Sequence, residues 1–184
     1  VVDNTFASPT LQRPLELGAD IVVHSTTKYI AGHSDLIGGC AVTRDPLLSE
    51  RLGFLQNTMG AVPSPLDCFL TLRGIRTLPL RMERHCDNAE YLAERLAQHP
   101  SVTSLLYPGL SDHPSHDIAG RQMSRFGGMI SLELEGGEAA ARKFAENLRL
   151  FANPTAKGIL QMDVCSRGGF LNEVFVSSRS TMAT

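Results

Sequence analysis

The stretch Ile21-Val22-Val23-His24-Ser25-Thr26-Thr27-Lys28-Tyr29 changes character halfway along. Its β-branched opening suits a strand buried on both faces. The hydroxyls and the lysine that follow suit a polar turn at the carboxyl end of that strand. Val1-Val2 is a second β-branched run, and Asp3 follows it at once. Between the two runs, Leu11, Leu15 and Leu17 sit in a segment broken by Pro9, Pro14 and Gly18, which reads as a short, imperfect helical crossover. Parallel strands need a crossover of about a dozen residues or more, and this one is long enough. The expectation is an α/β protein with Asp3 and the Ser25 to Lys28 segment at one edge of a parallel sheet. Open α/β sheets collect their ligands at that edge.

That edge would hold a carboxylate, two or three hydroxyls and a lysine within a short span of sequence. A lysine amine shielded from water is nucleophilic enough to form an imine with an aldehyde. A carboxylate on a pyridine nitrogen keeps that nitrogen protonated and makes the ring an electron sink. Hydroxyls and backbone N–H groups beside a turn suit a dianionic phosphate. Together these are the demands of pyridoxal 5′-phosphate (PLP). Singly, each group has a plainer reading: a lone lysine is mostly a solvated surface residue. Asp3 alone is a loop cap, and Ser25 and Thr27 alone form a hydroxyl-bonded turn.

The segment Val2-Asp3-Asn4-Thr5-Phe6 followed by Gly18-Ala19-Asp20-Ile21-Val22-Val23-His24-Ser25-Thr26-Thr27-Lys28-Tyr29-Ile30-Ala31-Gly32-His33 resembles the Cys/Met-metabolism PLP enzymes. That group includes cystathionine γ-synthase, cystathionine β- and γ-lyase, methionine γ-lyase and O-acylhomoserine sulfhydrylase. Leu72-Arg73-Gly74-Ile75-Arg76-Thr77-Leu78, Arg81-Met82, Tyr107-Pro108-Gly109-Leu110 and Phe126-Gly127-Gly128-Met129 extend the resemblance to about Phe151. It implies a fold-type I PLP-dependent transferase, with the Schiff base on Lys28, the pyridinium contact on Asp3 and phosphate contacts on Ser25 and Thr27. Arg73 receives no catalytic role; an ion pair or a helix-end contact is expected of it. The implied activity is that of a PLP-dependent C–S lyase or γ-replacement enzyme of transsulfuration, acting on a sulfur-containing amino acid. Gln56-Asn57-Thr58-Met59-Gly60-Ala61-Val62-Pro63-Ser64-Pro65 leans the reading toward γ-synthase or γ-lyase. A homotetramer is expected of the parent protein. An aminotransferase of the same fold would share the lysine and aspartate but not the flanking His24-Ser25 and Gly32-His33 context.

The rest of the chain divides into regions. Residues 1–62 are expected to form the end of a large PLP-binding domain with a mostly parallel sheet, including a strand at Cys40-Ala41-Val42. Residues 63–98 are expected to form a helical connector: a helix from Pro65 to Arg73 capped by Ser64, then a longer one from Leu78 to Gln98. Met82, Cys86, Ala89, Ala93 and Leu96 recur at spacings of 4, 3, 4 and 3, one face of a helix. Residues 99–184 are expected to form part of a smaller α+β domain. In it Val102 to Leu106 is a strand and Tyr107-Pro108-Gly109 a turn. Ile130, Leu132 and Leu134 alternate with polar residues as a half-buried strand does, and Glu138 to Leu148 is helical. From about Ala152 no period is sustained, and Phe151-Ala152-Asn153-Pro154 departs from the family pattern; low order is expected there.

Val1-Val2 opens without a methionine or a turn, so the expectation is that an N-terminal half precedes it. A truncated, non-catalytic remnant is the alternative to an enzyme. The chain has 184 residues, 42% hydrophobic and 20% charged, with a formal net charge of −2. That balance gives no electrostatic reason for a nucleic-acid or membrane partner. No apolar run approaches the roughly 20 residues that span a bilayer, and the cytoplasm is expected. Cys40, Cys68, Cys86 and Cys165 are scattered and are expected to be reduced and largely buried. His24, His33, Asp35 and Cys40 fit no zinc spacing, and His113 and His116 are expected in an exposed turn.

Overall fold

The structure is a computed structural model that describes residues 1–148 together with short strands at 155–156, 160–163 and 174–176. It forms two compact units: Val1–Met82 with Gln122–Ser124, and Glu83–Arg121 with Arg125–Thr184.

In the first unit, β1 (Val2–Asp3) runs parallel to β2 (Ile21–Ser25), with Val2 opposite Val22 and Asp3 opposite Val23. The crossover between them is α1 (Ser8–Leu11) followed by a 3-10 turn at Pro14–Leu17. β3 (Gly39–Thr43) pairs antiparallel with the other side of β2, so this small sheet is mixed. The chain folds straight back because the Gly38 carbonyl accepts from the N–H groups of Thr26 and Thr27, at 2.9 and 3.4 Å. Val22, Tyr29, Ile30, Ala31, Leu36 and Leu78 are buried here.

Helix α2 (Pro46–Met59) was not expected from periodicity, and none of its residues is buried. Its start carries a local signal: Asp45 accepts from the N–H groups of Leu47 and Leu48, and Pro46 takes the first helical position. In α3 (Pro65–Ile75) the Ser64 hydroxyl accepts from Asp67 N–H at 3.1 Å, the expected cap. Leu47, Phe54, Leu66, Phe69 and Leu72 on these two helices are exposed. The expectation of buried thiols holds for Cys86 and is corrected at Cys40 and Cys68, which are exposed. Cys40 sits on the outermost strand of its sheet, and Cys68 on a helix whose one buried residue is Gly74. Cys165 lies outside the described residues.

α4 (Leu78–Leu96) follows, with Met82, Cys86, Ala89 and Ala93 fully buried at the expected helical spacing. In the second unit, Ala89 and Ala93 pack with Tyr107 and Ile130 in one cluster. β4 (Val102–Leu106) pairs antiparallel with β5 (Met129–Leu134), where Ile130 and Leu132 alternate inward as expected. α5 (His116–Gln122) lies between them in sequence. α6 (Gly137–Glu146) buries Ala141 and Ala145, the latter against Leu132. The sheet continues as β7 (Leu160–Asp163), β8 (Val174–Val176) and β6 (Thr155–Ala156), which give strand order β4-β5-β7-β8-β6. The segment expected to be low in order thus contains three short strands; the remainder of it lies outside the described residues. His116 is corrected from an exposed turn to the half-buried start of α5, where its ring stacks on Phe126 at 5.3 Å. No helix among the described residues is long and apolar enough to cross a membrane.

Candidate active site

Parallel pairing sets β1 and β2 about 4.8 Å apart as neighbouring strands are, with Asp3 opposite Val23, two residues before the carboxyl end of β2. Asp3 ends one strand and Ser25 the other. Asn4 N–H donates to the Val23 carbonyl at 2.9 Å, which continues the ladder one residue beyond β1. Thr5 then joins the two strand ends. Its N–H donates to the Asp3 carboxylate at 2.9 Å, and its hydroxyl oxygen accepts from Ser25 N–H at 2.8 Å. The Thr5 hydroxyl, with the Thr5 N–H, holds the Asp3 carboxyl below the usual carboxylate range. Asp3 is therefore a settled anion at neutral pH, exposed at the sheet edge.

After Ser25 the chain enters a π turn at Thr26–Ile30. Lys28 breaks its regularity, with φ −88° and ψ −125°, so the lysine sits at a kink inside the turn. Single-turn π features of this kind recur at functional sites. Thr26 is buried, whereas Ser25, Thr27 and Lys28 are half-buried. The Thr27 hydroxyl is placed by Gly38, accepting from its N–H at 2.9 Å and donating to its carbonyl at 3.2 Å. All four residues named from the sequence, Asp3, Ser25, Thr27 and Lys28, lie at this one edge.

His24 shows which side of the sheet the site occupies. Side chains alternate along a strand, and the buried Val22 and His24 line a cavity of about 380 Å³ with Asn4, Ile30, Cys40 and Val42. None of the four candidate residues lines that cavity. His24 Nδ1 is buried with no hydrogen-bond partner among the described residues, and burial pushes the imidazole below its ordinary value. A neutral ring at physiological pH follows.

Two residues escaped the sequence reading. Thr5 lay inside the quoted motif without a role. Its signal was the Asp-x-Thr spacing, since an aspartate carboxylate commonly accepts from the N–H two residues on. Arg81 was quoted as well, and the helix-end contact expected of Arg73 is made by Arg81 instead. Arg73 is exposed in the last turn of α3, and it is the Arg81 guanidinium that reaches the Gly74 carbonyl at 2.8 Å.

A carboxylate on one parallel strand end and a kink-borne lysine after the next, with hydroxyls beside it, is the donor set that a phosphorylated pyridine aldehyde requires. The chain belongs to the Cys/Met metabolism PLP-dependent enzyme family, whose model matches residues 1–161. It is 60% identical over 151 residues to a cystathionine gamma-synthase of Mycobacterium bovis, covering 82% of this chain and 39% of that protein. It is 56% identical over 152 residues to a cystathionine beta-lyase of Coxiella burnetii, again covering 82% of this chain and 39% of the relative. A crystal structure of cystathionine gamma synthase from Xanthomonas oryzae pv. oryzae, in complex with aminoacrylate and cysteine, superposes with a TM-score of 0.80 at 52% identity. That match covers 85% of this chain and 40% of the other. The chain thus spans about two fifths of the length of the relatives it matches.

Proposed function

We propose that this chain is the lysine-bearing part of a PLP-dependent enzyme of sulfur amino-acid metabolism, a C–S lyase or γ-replacement enzyme. Cystathionine γ-synthase or γ-lyase chemistry fits best. The observation that carries the reading is the placement of Lys28 on a kinked turn at the carboxyl end of β2, the strand parallel to the one that Asp3 ends. The identity to a cystathionine gamma-synthase supports the first assignment.

The residues present suit the cofactor. Lys28 Nζ would be the amine for its aldehyde, and the Asp3 carboxylate would accept from its protonated ring nitrogen. The Ser25 and Thr27 hydroxyls would donate to its phosphate. The Thr27 proton would leave the neutral Gly38 carbonyl for a charged acceptor, an exchange that strengthens the bond. When bound, the cofactor supplies an electron sink for a carbanion at the substrate Cα. Lys28 would be the general base for the substrate Cα proton and the general acid that returns it. Asp3, whose pKa the Thr5 contacts lower further, would stabilise positive charge on that ring nitrogen.

The full-length protein acts on a sulfur-containing amino acid in the cytoplasm as a homotetramer. The apolar side chains exposed on α2 and α3 support self-association, since such surfaces mark interaction sites. The test is made on the full-length enzyme. Borohydride reduction followed by peptide mapping should place a pyridoxyl label on Lys28, and Lys28→Ala should lose the visible absorption band. A label on another lysine would overturn the assignment. Gel filtration tests the tetramer.

A further inference from the structure

We propose that Arg81 is a positioning residue for Lys28, holding the lysine turn in register through backbone carbonyls that the turn itself leaves without donors. This rests on the assignment of Lys28 as the cofactor-bearing lysine.

Within the turn, Ala31 N–H donates to the Thr26 carbonyl and Gly32 N–H to that of Lys28, each at 2.9 Å. The next carbonyls in line, those of Tyr29 and Ile30, lie where a helical segment runs out of its own donors. Both residues are buried. Arg81 supplies the missing donors from the first turn of α4, about fifty residues further along the chain. Nη1 donates to Tyr29 O at 2.6 Å and Nη2 to Ile30 O at 3.2 Å. Nη2 also donates to Gly74 O at 2.8 Å, and Nε donates to the Thr77 hydroxyl at 3.1 Å. One planar cation therefore ties the residues that follow Lys28 to the α3–α4 junction.

The backbone has been cleared to allow this. Gly32 has φ +68°, and a Cβ built there would collide with the Arg81 guanidinium. A Cβ on Gly74 would meet Ala31 O at 2.4 Å and Ile30 O at 2.7 Å. The turn is thus pressed against α3 at Gly74, where the same guanidinium bonds both the turn and α3. Lysine could not replace Arg81 here, because a single ammonium cannot reach along this row of carbonyls as a planar fork does.

The experiment uses the full-length enzyme stripped of cofactor, with Arg81→Lys. The variant should still fold, with a lowered thermal midpoint because buried carbonyls lose donors. Amide exchange in peptides covering residues 26–32 should accelerate, and covalent capture of added PLP at Lys28, followed by visible absorbance, should slow. A misplacement of about 1 Å is worth on the order of 10²-fold in rate, so a loss of roughly 10- to 100-fold in capture rate and in kcat is expected, with KM little changed. Parental exchange and capture rates, with the label still mapping to Lys28, would overturn the proposal and leave the Lys28 assignment standing. A label on a different lysine would overturn both. If Arg81→Lys does not fold, Arg81→Ala with added ethylguanidinium decides: capture that rises with the additive supports the proposal, and capture that does not rise sinks it.

Discussion

Thr5 and Ser25 are twenty residues apart, yet the hydroxyl oxygen of one accepts the backbone N–H of the other at 2.8 Å, while the same threonine holds the Asp3 carboxylate. The bond fixes the distance between the end of β1 and the start of the lysine turn. Thr5→Val keeps the shape and removes the hydroxyl. The half-buried Ser25 N–H then loses its acceptor, at a cost of about 1 kcal/mol. The Asp3 carboxyl, no longer depressed by that hydroxyl, titrates closer to its ordinary value. Stability linked to a depressed carboxyl is present above its unfolded pKa and lost as pH falls through the folded one. The variant should therefore lose that component of its acid sensitivity. Acid unfolding curves of parent and variant would check this, and identical curves would argue against the Thr5–Asp3 link.

Asp3→Asn in the full-length enzyme should leave the cofactor bound, because the lysine and the phosphate donors remain. Removing the charge that stabilises the ring nitrogen should lower kcat by roughly 10²- to 10³-fold, the usual scale for losing one preorganised electrostatic contact. Steady-state turnover together with the cofactor content of the purified variant tests it; near-parental kcat would remove Asp3 from the site.

His24 predicts a pH effect at milder values. Burial depresses its folded pKa, so the unfolded chain binds protons that the folded one refuses. The associated stability is fully present above the ordinary histidine value of about 6.5 and is lost as pH falls through the lower folded value. His24→Phe should flatten the decline in thermal midpoint between about pH 7 and pH 5.5. An unchanged slope would show that another group governs it.

In the second unit, Tyr107 donates its buried hydroxyl to the Gly127 carbonyl at 3.1 Å. Tyr107→Phe should cost about 1 kcal/mol. Ile130, fully buried beside it, should cost about 2–5 kcal/mol on truncation to alanine. Denaturant titration of both variants ranks them; a Phe variant less stable than the Ala variant would contradict this packing.

The elements that read clearly from the sequence were those whose signal is local. Ile21 to Val23 announced a strand by β-branching, Ser64 a helix start by its side chain, and α4 its buried face by regular spacing. α2 was missed because it buries nothing, so its apolar residues obey no single face; the Asp45-Pro46 cap was its one marker. α5 is too short for a period to emerge. At the site, the resemblance carried by the lysine segment singled out Asp3 and Lys28, and the fold brings both to one sheet edge. Arg81 was not legible in the same way. Its role consists of bonds to backbone carbonyls about fifty residues distant, and carbonyls leave no trace in residue type.

The close approach at Gly32 and Gly74 sets a boundary for anyone reshaping this enzyme. Any side chain at Gly74 would meet the backbone of the turn, and any at Gly32 would strain a left-handed position and displace the Arg81 guanidinium. Laboratory evolution would have to draw its variation from elsewhere, leaving this patch as a fixed hub of the scaffold.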